Sequence, residues 1–153
     1  MLTKYEIMKE DIKKKVRFFS PEFNLPLRDR TKFKYFAAFV LKKEGLMLNL
    51  VNFIFCSDKD LLKLNNHFLK HDYYTDILTF SLSEIRNEVA ADIYISLERT
   101  KENSVSFNVS HSKELHRVMI HGLLHLCGYK DKSKKEITAM KEREDFYLNI
   151  YFK

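Results

Sequence analysis

The chain has 153 residues, the length of one ordinary domain that buries a core without disulfide or metal staples. Apolar residues make up 45% and charged residues 31%, with only 3 Gly and 2 Pro, which excludes a low-complexity or linker-rich chain. No window approaches the ~20 apolar residues of a membrane span, and the net charge of +6 favours an anionic partner, nucleic acid being the commonest, without naming one.

In chain order, residues 1–28 are mixed, with a basic run at Lys13–Arg17 and prolines at 21 and 26. The N-terminal MLTKYEIMKEDIKKK has no apolar signal core, so a cytoplasmic location is expected. From about Asp29 to Glu44 the residues Phe33, Phe36, Ala37, Val40 and Leu41 fall at helical spacing, and Gly45 supplies a stop. LMLNLVNFIFC, residues 46–56, is a β-type run. Ser57 with Asp60 opens a helix near 58–69, with Leu61, Leu64 and Phe68 on its inner face and Asn65 beside them needing a hydrogen-bond partner.

DILTFSL at 76–82 and ADIYIS at 91–96 read as strands. The longest helical pattern runs from about Ser110 to Leu126 and closes at Gly128. A last helix near 133–151 carries the stripe Ile137, Met140, Tyr147, Leu148 and Tyr151, interrupted by Glu144, whose edge is expected to meet solvent. The expectation is a single compact α+β domain over residues 1–153, a mixed sheet of three or four strands packed with four or five helices. Cys56 and Cys127 belong to no C-x-x-C pair and read as two buried thiols of a reducing compartment.

The chemistry concentrates in HGLLHLCGYKD, residues 121–131. Residues four apart on a helix are separated by about 40° around its axis, so His121 and His125 project side by side. Gly128 permits the left-handed turn that brings Asp131 back towards the same point. Two histidines and a carboxylate leave a fourth zinc position open, as a catalytic site requires. Against this stands the plain reading of an H-x-x-x-H pair as core or surface histidines bonded to backbone carbonyls. For Asp131 the rival is an N-cap of the last helix. His116 lies about 140° from His121 and reads as structural or exposed. His67, His71 and His111 have no pairing pattern. Position 122 is glycine, where H-E-x-x-H zinc proteases carry their base, so a standard zinc peptidase is disfavoured. A glycine inside a helix costs about 1 kcal/mol against alanine, which points to close approach of another backbone or a substrate.

HGLLHLCGYKD resembles the H-G-x-L-H-L-x-G-Y-D-H signature of the YbeY family, bacterial single-strand-specific endoribonucleases that mature ribosomal RNA. LNNHFLKHDYYTDILTF, residues 64–80, resembles the family's L-N-x-x-Y-R-x-x-D-x-x-T-D-V-L-S-F, and ADIYIS its G-D-I-x-I-S strand. The resemblance implies one zinc ion per chain, held by His121, His125 and position 131. It also implies single-stranded RNA as substrate, late maturation of small-subunit (16S) ribosomal RNA on the small ribosomal subunit, and ribosome quality control. The sequence departs from the family twice. The third ligand, usually histidine, is Asp131, and the family's arginine aligns with Leu69, leaving Lys70 as the candidate RNA contact without bidentate geometry. Asp72, Thr75 and Asp76 either build the turn into a strand or form a wall of the zinc cleft. Asp92 either fixes a loop or orients a ligating histidine. No protein base is assigned. The rival functions are a non-catalytic ribosome-assembly factor with a structural metal site and, less favoured, a zinc peptidase.

Overall fold

A computed structural model describes residues 1–153. The elements in order are α1 (Lys4–Lys15), β1 (Val16–Phe19), α2 (Arg30–Lys43), β2 (Met47–Cys56), α3 (Asp58–Leu69), β3 (Ile77–Ser81), β4 (Glu88–Ser96), α4 (Leu97–Ser106), α5 (His111–Leu126) and α6 (Lys134–Tyr151). The sheet runs β1-β2-β4-β3, with β1 and β4 parallel to β2 and only β3 antiparallel to its neighbour. The α+β class and the four-stranded mixed sheet agree with expectation, and the helices number six, one more than expected.

Each long helix starts at a side chain that satisfies an orphan backbone N–H. Asp29 accepts from Lys32, Ser57 from Asp60, Ser110 from Lys113, and Ser133 forms a capping box with Glu136. One sheet face carries Val51, Phe53, Phe55, Ala91, Ile93 and Ile95, all fully buried. Central helix α5 lies against β3 and β4 on that side and contacts α2, α4 and α6 as well. Its residues Leu115, Met119, Ile120, Leu123 and Leu124 are fully buried, each worth about 1.5–3 kcal/mol of transfer free energy.

Gly122 explains how close that packing is. A Cβ there would lie 2.8 Å from Ile77 Cδ1 and 3.1 Å from Ile93 Cγ2. The close approach inferred from a glycine inside a helix is therefore to strand side chains, not to another backbone or a substrate. It lets α5 sit down on the sheet and fixes the height of the histidine that precedes it.

On α3, Leu61 and Asn65 face inward, and Asn65 donates to the Tyr73 carbonyl at 2.9 Å, the partner its burial requires. Phe68 departs from expectation. It is 59% exposed and meets Phe80 and its neighbour His67 edge-on. Ile137 on α6 is exposed as well, one turn before the stripe meets the core. No helix is long and apolar enough to cross a membrane.

Candidate metal centre

His121 and His125 stand on the last turns of α5, and a Schellman turn follows them. Tyr129 N–H donates to the Leu124 carbonyl and Gly128 N–H to the His125 carbonyl, both at 3.0 Å, with Gly128 at φ +98°. The chain thereby reverses and returns Asp131 to the helix end. Asp131 Oδ2 lies 3.2 Å from His121 Nε2 and 3.3 Å from His125 Nε2, and the two Nε2 atoms are 2.9 Å apart. Helix α6 is capped by Ser133, so the cap role weighed for Asp131 belongs to another residue.

The donor set fits a single small cation. Ligand atoms bound at about 2.0 Å around a tetrahedral zinc ion lie roughly 3.3 Å apart, close to the spacing here. His125 Nδ1 donates to the Tyr129 carbonyl at 3.0 Å, and His121 Nδ1 donates to Glu144 Oε1. With both Nδ1 atoms turned outward as donors, both Nε2 lone pairs point at one place, beside a carboxylate oxygen. Three acceptors converging there call for a positive charge between them. The cluster is open on the side of Asp131, whose side chain is 41% exposed, against 15% and 24% for the histidines.

Glu144 corrects the expectation that its edge of α6 meets solvent. It is 4% exposed and bonded both to His121 and to Arg117, whose Nη1 lies 3.3 Å from its Oε1. Burial of the His121 imidazole works against its charged form. The hydrogen bond and charge of Glu144, with Asp131 and Asp76 adding to them, outweigh that burial and hold the group above its ordinary value. Arg117 also binds Glu114 through Nε, while Asp76 stands 3.8 Å from its Nη2 and accepts from Asn103 at 3.2 Å. Burial pushes the Glu114 carboxyl up, against the pull of Arg117. One chain of charge thus runs from the start of β3 through α5 and α6 to the cluster of His121, His125 and Asp131. A carboxylate breaking an apolar stripe was the signal for it, since a buried charge needs a partner.

Asp92 does not hold a histidine. It accepts from Asn52 at 3.0 Å across the β2–β4 pair and shares a sheet face with Phe80, which α3 covers. Strand alternation turns it away from α5 while Ile93 faces the helix. Asp76 is the strand-end carboxylate that reaches α5 instead. Thr75 bonds within its own turn and Asp72 is exposed. Lys70, with Leu69 before it, is exposed at the left-handed end of α3 at φ 55°.

The other histidines lie elsewhere. His116 is buried against Phe33 and Tyr151, His111 pairs with Thr100, His71 stacks on Tyr73, and His67 is exposed. Both thiols are free and partly buried, and burial pushes each up to about 12, which leaves them inert. Beside the cluster a cavity of about 580 Å³ opens between α5 and α6, bordered by His121 and Asp131.

Comparison with known proteins identifies the family. A family model described as Endoribonuclease YbeY matches residues 22–151. An Endoribonuclease YbeY of Cytophaga hutchinsonii is 43% identical over 143 residues, covering 94% of this chain and 98% of the relative. One from Flavobacterium psychrophilum is 41% identical and covers 87% of this chain and 94% of the relative. A solution structure of a Thermotoga maritima protein superposes with a TM-score of 0.59 at 30% identity, covering 90% of this chain and 89% of that one. With a family model spanning most of its length and relatives above 40% identity, the chain belongs to the YbeY endoribonucleases, a family of hydrolases.

Proposed function

We propose that this protein is a zinc-dependent endoribonuclease that cuts single-stranded RNA, with zinc held one per chain by His121, His125 and Asp131. The observation that carries the reading is three ligand atoms from one helix end and its returning turn, all within 4.8 Å of one another, in a member of an endoribonuclease family. A zinc ion there would supply Lewis-acid polarisation of the scissile phosphodiester and a water of lowered pKa. The chain's own residues do the positioning. Glu144 and the Tyr129 carbonyl fix both imidazoles with Nε2 inward, and Arg117 holds Glu144 in place. The exposed side of Asp131 admits the substrate backbone.

Lys70 is the RNA contact proposed in place of the arginine missing at position 69. The cellular substrate proposed is the precursor of small-subunit (16S) ribosomal RNA on the small ribosomal subunit, in the cytoplasm, with a part in ribosome quality control. The family's name supports RNA as the substrate, and the net charge of +6 is consistent with an anionic partner. Competition between end-labelled single-stranded and duplex RNA, over a range of salt, tests the substrate class. Single strands are expected to bind more tightly and to weaken steeply with salt as counterions are released. Equal affinity for the two, or indifference to salt, would refute it.

A further inference from the structure

The cavity beside the metal position has one feature that the metal does not need. Phe107 lines it together with His121, Asp131, Lys113 and Lys141, and the residue is 59% exposed. Its backbone is held on both sides: Phe107 N–H donates to the Asn103 carbonyl at 2.9 Å, and Val109 N–H to the Ser104 carbonyl at 3.0 Å. Asn108 between them turns the chain at φ 54°. The ring therefore stands over the cavity on a fixed mount, with the Arg117 guanidinium 5.9 Å from its centroid. An exposed phenylalanine in isolation means little. Asp145 borders the hollow too, so the lysines are matched by carboxylates and the face of the exposed aromatic is what offers an unpaired base a stacking platform.

Size and polarity agree. About 580 Å³ lies within the range of small-ligand sites and has room for one nucleotide. Ile137, Met140 and Leu148 give an apolar wall opposite the polar side formed by Arg117, Glu114 and Glu144. The guanidinium bonds Glu114 through Nε and Glu144 through Nη1. Its Nη2 has only Asp76, 3.8 Å away, so a donor is left over for a ligand.

We propose that this cavity takes one unpaired nucleobase of the RNA strand, stacked on Phe107, so that the adjoining phosphate comes to the open side of Asp131. The inference rests on the RNA-cleaving reading above and adds a base-binding subsite to it. A base kept in a duplex cannot swing into the hollow, so the subsite also gives a physical reason for cutting single strands.

The test uses zinc-loaded protein and two short 2′-O-methyl phosphorothioate oligoribonucleotides of equal length, one carrying all its bases and one abasic throughout. The parent is expected to prefer the base-bearing strand. Phe107→Ala is expected to weaken that strand roughly ten-fold or more while leaving the abasic strand and the zinc content unchanged. Because the chain has no tryptophan, Phe107→Trp places a single reporter at the site, and its fluorescence should quench with the base-bearing strand alone. If Phe107→Ala binds both strands as the parent does, or if the tryptophan responds equally to the abasic strand, the base subsite is wrong while RNA binding stands. A parent that binds neither strand overturns the subsite and the RNA reading together.

Discussion

Asp131 stands where the YbeY signature carries histidine, and a carboxylate oxygen in place of an imidazole nitrogen makes the cluster more negative without changing its reach. Its distances of 3.2 and 3.3 Å to the two Nε2 atoms leave all three within reach of one ion, and Ser133 already caps α6. Asp131→His should therefore keep zinc, Asp131→Asn should weaken it and Asp131→Ala should release it, with little change in melting temperature, as read by elemental analysis and thermal unfolding. Tight zinc in Asp131→Ala would send the search for a third ligand elsewhere. Glu144 acts one step further back, by orienting His121. Glu144→Gln should lower zinc affinity about 10–100-fold, the usual effect of losing a carboxylate behind a ligating histidine. Competition with a chromophoric chelator measures this, and an unchanged affinity would make Glu144 a purely structural acid. Of these residues the histidine pair and Asp131 were legible from spacing. Glu144 was marked only as a carboxylate breaking an apolar stripe; its bonds to His121 and Arg117 depend on α6 crossing α5, which no local pattern states.

At the scale of elements, the turn after α5 is tied to the rest of the fold through Glu44, just past the end of α2. Glu44 accepts from Arg143 at 2.8 Å, from Tyr147 at 2.7 Å and from Tyr129 at 3.3 Å. Its burial raises the carboxyl pKa, but the hydrogen bonds from Tyr147 and Arg143 outweigh that and leave it below the ordinary value. A depressed carboxyl stabilises the fold above its unfolded pKa, and that contribution is lost as pH falls through the lower, folded value. Denaturant titrations should show stability declining below about pH 4.5, with a shallower decline in Glu44→Gln. Glu44→Ala should cost about 2–4 kcal/mol at neutral pH. Gly128→Ala should cost about 1 kcal/mol or more, because a side chain resists φ +98°. It should also loosen zinc by slackening the Tyr129 carbonyl that holds His125. The helices legible in the sequence, α2, α3, α5 and α6, bury a stripe at helical spacing. Missed were α1, which buries nothing, the four-residue edge strand β1, and the polar α4, whose LERTKENSVS shows no clear apolar face.

For the whole molecule, β3 and β4 support α5 from one side and α6 packs against it from another, so the histidines, their carboxylate partners and the cavity meet at one end of the packing. Lys113 and Lys141 flank the hollow at this end, beside the carboxylates of Asp131, Glu144 and Asp145. The central claim is that His121, His125 and Asp131 hold the zinc on which RNA cleavage depends. The most direct test is the cleavage rate of a labelled single-stranded RNA by protein stripped with chelator and then given back one equivalent of zinc. The prediction is no cleavage when stripped, recovery on return of zinc in the parent, and no recovery in the folded His121→Ala/His125→Ala double variant. Cleavage at the parental rate by that double variant would contradict it.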